Sequence, residues 1–481
     1  MDHVNVLIIG AGISGVGVAC HLKMESPDQS FTILEGRERL GGTWDLFKYP
    51  GIRSDSDMFT FGYRFKPWIE DNDIATADSI LKYLHETVDE YDLSDKIKYN
   101  QKVTKVAWDS AKKLWVADVE DTSGGKNYQI SCNFLVTGTG YYKYDQGYLP
   151  QFEGYDDFKG TIVHPQHWPE DLDYTNKRVV VIGSGATAVT LIPNMCKDTA
   201  HITMLQRSPT YMISRPAADP IAKFLRKWLP IKLAYRMTRL KNMLMGAYIF
   251  RTAKTKPEQM RAYLEGKVKE EVGPDVDVAK HFSPTYNPWD QRLCLVPDND
   301  LFHAVRDGEA SVVTDTIESF VENGIKLTSG EVLEADIIVT ATGLDLQFLG
   351  GIDMFVDGEK QNPGALVSYR GMMFGNIPNM INVVGYTNAS WTLKVDLTAE
   401  YLCRLLNHMK ANHLEEVYPK LEDGQITSEP IVGLASNYIL RKAAELPKQG
   451  TEHPWRNKDN YLADRKSIRR ASFDDGILHF G

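Results

Sequence analysis

Two short glycine clusters have the spacing that phosphate binding requires. Gly10-Ala11-Gly12-Ile13-Ser14-Gly15 follows the β-rich run 4–9, and Gly183-Ser184-Gly185-Ala186-Thr187-Ala188 follows the run 178–182. In each, the first glycine permits a tight turn and the second lets the backbone approach a pyrophosphate. The third position, Gly15 or the small Ala188, lets helix pack on strand. A pyrophosphate placed there meets free N–H groups at the positive end of a helix dipole. Helix-compatible residues follow both clusters, and a further β-rich run completes each unit at 31–35 and 202–206. A lone pattern of this kind is a weak signal. The same strand, turn, helix and strand in two copies makes two dinucleotide sites the expectation.

The end of each unit's second strand distinguishes the ligands. Glu35 lies 20 residues after Gly15, placed to accept hydrogen bonds from ribose hydroxyls and to repel a 2′-phosphate. The equivalent place in the second unit holds Gln206-Arg207-Ser208, a cation and a hydroxyl without a carboxylate, which suits a 2′-phosphate. The first unit is therefore read as an FAD site and the second as an NADPH site, with hydride passing between them.

The elements that must hold these sites form an α/β fold with two Rossmann-like dinucleotide-binding domains, FAD and NADPH, and a helical insertion in the NADPH domain. Runs ending in small residues at 134–140 and 336–343 suit the closing strands of the two sheets. A last strand near 379–388 would return the chain to the first domain. The expected division is 1–149 and 346–481 for FAD, 150–214 and 292–345 for NADPH, and 215–291 for the insertion. A chain of 481 residues agrees with about three units of roughly 150 residues. With 43% hydrophobic and 25% charged residues it is neither disordered nor low-complexity.

A net charge of −10 argues against nucleic acid as a partner. Five widely spaced cysteines without a C-x-x-C pair suggest no disulfide framework, metal cluster or redox dithiol. Met1-Asp2-His3 leads directly into the first strand, which leaves no room for a secretion signal, so a cytoplasmic protein is expected. Residues 221–257 contain ten Lys or Arg and no acid, interleaved with large apolar side chains at helical spacing. Two readings fit: a lid packed on the NADPH domain with its basic face in water, or a helix lying peripherally on the inner face of the cell membrane. No oligomeric state is implied.

The segment Phe158-Lys-Gly160-Thr-Ile-Val-His164-Pro-Gln-His-Trp168-Pro169 resembles the F-x-G-x-x-x-H-x-x-x-W-P fingerprint of Baeyer–Villiger monooxygenases. A second pattern of that family is matched by Gly41-Gly42-Thr43-Trp44 followed by Tyr49-Pro50-Gly51 and Asp55. With both glycine turns in order, the resemblance spans essentially the whole chain, and it is strongest to the ethionamide-activating subgroup. It implies oxygen insertion by a C4a-peroxyflavin formed from FAD, NADPH and O₂, with a small-molecule ketone or sulfide as substrate. It also implies that Asp55 is the acid beside the flavin, that Arg292 is the catalytic arginine, and that His164 and Trp168 belong to the segment linking the two domains. Gly42, Thr43 and Trp44 would lie against the flavin, with packing the main role of Trp44.

Those residue types suit the chemistry. Arginine stays protonated at any working pH and offers several donors, so Arg292 can stabilise both the peroxide anion and the oxyanion of the adduct. Asp55 would hold the guanidinium in place. Asn388, Ser390, Trp391 and Lys394 follow the last strand and are read either as pocket-lining or as ordinary capping and core residues. The alternative activity is a flavin-containing S/N-heteroatom monooxygenase, against which Trp168-Pro169 argues. A redox-sensing protein that binds both cofactors without turnover is a third reading.

Overall fold

Val6, Leu7 and Ile8 are fully buried, and they form the middle of the strand Asp2–Ile9. Phe31–Leu34 and Tyr128–Thr137 flank it, both parallel, pairing Ile9 with Leu34 on one side and Thr137 on the other. Continuous apolar strands of this kind belong in a sheet covered on both faces. The computed structural model describes residues 1–422, 424, 426–431 and 436–481.

These strands belong to a nine-stranded sheet that continues antiparallel through Leu114–Asp121 and Gln101–Asp109. Asp353–Val356 then adds parallel to Gln101–Asp109, and Met380–Asn382 lies parallel to Tyr128–Thr137. Strands from both ends of the chain therefore share one sheet. A second, all-parallel sheet runs in the order Ala310–Thr314, His201–Gln206, Arg178–Ile182, Ile337–Thr340 and Thr161–Val163.

Each central strand leads through its glycine turn into a helix, Ile13–Glu25 in the first unit and Ala186–Met195 in the second. Helix Trp391–Ala411 packs along Ile13–Glu25 and buries Leu393, Val395, Leu397 and Leu402. The sequence expectation of two Rossmann-like α/β units matches this arrangement.

The insertion lies between two short strands, Met212–Arg215 and Cys294–Pro297, that pair in parallel. It contains the helices Pro220–Trp228, Ile231–Thr255, Pro257–Val272 and Val278–His281. Asp219 caps the first by accepting from the N–H groups of Ile221 and Ala222. The long helix Ile231–Thr255 leans on the first unit: buried Arg239 donates to the carbonyls of Phe59 and Gly62, each at 2.8 Å, and to Asp396 at 3.0 Å. Such a buried guanidinium is tolerable only when its donors are met in this way. Among the described residues no helix is long and apolar enough to cross a membrane. All five cysteines are free and buried.

Candidate active site

Both helices that follow the glycine turns begin on a glycine, Gly12 and Gly185, with no side chain capping the first turn. Elsewhere the protein caps helix starts with Asp57, Thr76 and Asp219. An uncapped glycine start leaves its N–H donors to a phosphate. Around these starts the backbone is tight. A Cβ on Gly15 would lie 1.9 Å from the carbonyl oxygen of Gly10, and one on Gly183 would lie 2.4 Å from that of Ala341. A Cβ on Gly185 would meet nothing within 4 Å, so that glycine borders open space. Both turns thus have the form of a pyrophosphate cradle.

Glu35 is buried at the end of its strand and binds its own turn. Its carboxylate accepts from Ala11 N–H at 2.7 Å and Arg37 N–H at 2.9 Å. Burial raises its pKa, against the lowering effect of those two bonds. Each oxygen keeps a second lone pair with which to accept from a ribose hydroxyl. In the second unit Gln206 is buried, donating to His281 O at 2.7 Å and Thr314 Oγ1 at 2.9 Å, whereas Arg207 and Ser208 are exposed. Ser184 reaches Thr210 Oγ1 at 2.8 Å, which ties the glycine turn to the loop after Ser208.

The segment from Gly41 to Asp55 runs between the two units. Gly42 lies beside Gly12, Thr43 Oγ1 is 2.6 Å from the Tyr142 hydroxyl, and Trp44 packs edge-to-face on Phe61. Phe47 and Tyr49 share a buried cluster with Val179, Ala188 and Leu191 of the second unit, and the Tyr49 hydroxyl is in reach of Thr187. Arg53 donates to Asp300 at 2.5 Å, at the start of helix Asp300–Arg306 on the second sheet's side. Asp55 follows, and its carboxylate accepts from Arg292 Nη2.

Arg292 stands just before the strand Cys294–Pro297, on a turn shaped by Trp289 at φ 66° and the Asp290 N–H to Asn287 O bond of 3.0 Å. Lys254 of the long helix holds this turn through Trp289 O at 3.1 Å and Asp290 Oδ1 at 2.8 Å. The Arg292 side chain remains 42% exposed. The Asp55 charge, with Tyr141 and Tyr438 beside it, raises its pKa still further. The result is a fixed cation held by a carboxylate at the junction of the two units.

The fingerprint residues have structural positions. Phe158 fills the core against Val180, Ile182 and Ile338, and a Cβ on Gly160 would meet Asp336 O at 2.4 Å. His164 Nδ1 accepts from Gln166 N–H at 3.2 Å, and burial lowers its pKa. Trp168 joins the cluster of Phe47, Tyr49 and Tyr142, so the segment packs the two units together, while Pro169 is exposed.

Sequence reasoning missed Tyr141, Tyr438, Gln166 and Arg239. Tyr141 stacks on Trp391 at 5.3 Å, and Trp391 donates to Ser14 Oγ at 2.8 Å beside the first glycine turn. Ser390 bonds Thr60 and Asn388 donates to Asp459 O. Lys394 is buried on Asp464 and Arg370 O, a core position. No spacing rule singles out these tyrosines, because they reach Arg292 only through folding.

A family model described as pyridine nucleotide-disulphide oxidoreductase matches residues 7–228. The chain is 51% identical over 480 residues to the probable FAD-binding monooxygenase AlmA of Acinetobacter baylyi, covering 99% of this chain and 96% of that protein. It is 49% identical over 480 residues to the FAD-containing monooxygenase EthA of Mycobacterium tuberculosis, covering 100% and 98%. Its fold matches a solved steroid monooxygenase bound to NADP, with a TM-score of 0.78, 21% identity and 99% of both chains covered. It also matches an open crystal structure of cyclohexanone monooxygenase, with a TM-score of 0.79, 20% identity and 100% of both chains covered. Identity of this order across the whole length of two such relatives means that the chain belongs to the family of FAD-containing monooxygenases.

Proposed function

We propose that the protein is an NADPH-dependent flavoprotein monooxygenase of the Baeyer–Villiger type. It inserts one oxygen atom of O₂ beside a ketone carbonyl to give an ester or lactone, with sulfoxidation as a side activity. The observation that carries this reading is the Arg292–Asp55 pair at the junction of the two glycine-turn units. The names of the relatives, and the NADP bound to the solved steroid monooxygenase, support the choice of cofactors.

In this reading residues 1–149 and 346–481 form the FAD domain, and 150–214 with 292–345 form the NADPH domain. Gly10, Gly12 and Gly15 bring backbone N–H groups to the FAD pyrophosphate, and Glu35 accepts from its ribose. Gly183 to Thr187 do the same for NADPH, while Arg207 and Ser208 hold its 2′-phosphate. Bound FAD, reduced by NADPH, supplies the oxygen-transfer chemistry. Arg292 donates to the substrate carbonyl oxygen, where negative charge develops, and its protonation does not depend on working pH. Asp55 fixes the orientation of the guanidinium, so no reorganisation is needed when that charge appears. Gly42, Thr43 and Trp44 pack the flavin side of the crevice, and the segment from Phe158 to Pro169 keeps the two units in register.

The test is a competition. Purified yellow protein, NADPH and O₂ are given a methyl ketone and a thioether together, and products are identified by mass. Ester formation coupled to NADPH consumption is expected. Sulfoxide without ester would replace this reading with the heteroatom monooxygenase. Absence of substrate-dependent oxygen uptake would leave only a binding protein.

A further inference from the structure

We propose that the outward face of the insertion helices docks on an anionic phospholipid bilayer. Along Ile231–Thr255, Leu233, Met237, Leu240, Leu244 and Tyr248 recur every three or four residues and form one exposed stripe. Ile221, Phe224 and Trp228 do the same on Pro220–Trp228, with Phe224 64% and Trp228 69% exposed. Monomeric proteins seldom leave so many large apolar side chains together in water without a use for them.

The stripe cannot turn inward, because the opposite face is already engaged. Tyr235 donates to Tyr63 O at 2.8 Å, Arg239 binds Asp396, and Asn242 donates to Asp57 at 2.8 Å. These bonds argue against a lid that closes over its own apolar face.

Charge selects the occupant. Residues 221–257 hold ten Lys or Arg and no acid, leaving 44 Lys and Arg against all 64 Asp and Glu in the rest of the chain. Lys227, Lys232, Arg236, Arg251 and Lys256 are exposed and make no ion pair among the described residues. A symmetric dimer formed through this face would bring two such unneutralised faces together. A lipid surface carrying phosphate charge neutralises them and accepts the apolar stripe between them. Trp228, exposed at the end of its helix, is a side chain suited to the headgroup boundary.

The experiment floats the full-length FAD-loaded protein with vesicles of phosphatidylcholine alone or phosphatidylcholine with phosphatidylglycerol. Flotation with the anionic vesicles at low salt, lost at high salt, is expected. Each cation removed weakens binding about fivefold, so Lys232→Gln with Arg236→Gln should lose about 25-fold. Leu240→Asp with Leu244→Asp should abolish flotation while the bound-flavin spectrum and NADPH-driven flavin reduction stay unchanged, since both side chains are already in water. The proposal is overturned by no flotation at low salt, by equal flotation on neutral vesicles, or by a dimer that the Leu240→Asp, Leu244→Asp variant dissociates. The readout needs no turnover, so it stands or falls separately from the oxygenation chemistry.

Discussion

Arg292 carries a charge that no accessible pH removes, and its neighbour Asp55 strengthens that state rather than competing with it. A group of this kind acts on the charge that develops in the reaction and contributes little to hydride transfer. Arg292→Ala should therefore keep NADPH-driven flavin reduction and lose ester formation by about 10²- to 10³-fold, the usual cost of a missing oxyanion donor. Full ester yield from that variant would remove the arginine from the mechanism. Arg207 makes a different prediction because it is exposed at the end of its strand. Arg207→Ala should raise the KM for NADPH about 10- to 100-fold, the value of a charge-assisted contact, and leave the KM for NADH unchanged. An equal rise for both cofactors would contradict a 2′-phosphate role. The positions of Glu35 and Arg207 directly after their strands were legible in the sequence, because strand register places them. Tyr141 and Tyr438 were not, because their approach to Arg292 depends on a loop and on a segment nearly 150 residues beyond it in sequence.

Strands and helices set what each glycine tolerates. Gly15 is pressed against the Gly10 carbonyl, so Gly15→Ala forces helix and strand apart and should yield protein without bound flavin. Gly185 faces open space, so Gly185→Ala should fold and bind flavin normally, yet bind NADPH poorly because the added methyl occupies the phosphate's approach. Normal NADPH affinity in that variant would argue against the second cradle. A further element-level device joins helices Ile13–Glu25, Ile231–Thr255 and Trp391–Ala411. Buried His21 lies 2.9 Å from Glu25 and 3.2 Å from Asp396, which also accepts from Arg239. Burial pulls the His21 pKa down, but these two acids outweigh it and hold it at about 9, above its ordinary 6.5. A raised histidine stabilises the fold fully below 6.5, and that stabilisation is lost as pH rises through about 9. Up to about 3 kcal/mol is at stake. His21→Gln should flatten the dependence of Tm on pH between 7 and 9 (roughly the titration window), and an unchanged slope would place the loss elsewhere. The repeated βαβ pattern made the two helices after the glycine turns legible. The docking of the insertion on Asp396 was not, because a buried Arg239 looks in sequence like any other cation of a basic run.

At the scale of the whole molecule, hydride transfer requires two sheets to hold two ligands in one crevice, and the contacts between the units set that relation. The segment from Gly41 to Asp55 starts beside the first glycine turn, buries Phe47 and Tyr49 in the second unit's core, and ends at Asp55. Besides the Tyr49 hydroxyl near Thr187 and the Asp55–Arg292 pair, it is tied to the second unit by Arg53 on Asp300, whose side chains are 14% and 27% exposed. If this tie sets the distance between the units, Arg53→Ala and Asp300→Ala should each slow flavin reduction by NADPH about 10- to 100-fold, as small misplacements of reacting groups do. Flavin binding and NADPH affinity should change little, because neither side chain belongs to a cradle. Breaking one partner also leaves the other half-buried and unpaired, so the two losses should not add: the double variant should be no slower than the slower single. Stopped-flow reduction of the four proteins measures this directly. Additive losses would mean that each residue acts through separate neighbours, and the spacing of the units would then rest on the apolar cluster of Phe47, Tyr49, Tyr142 and Trp168.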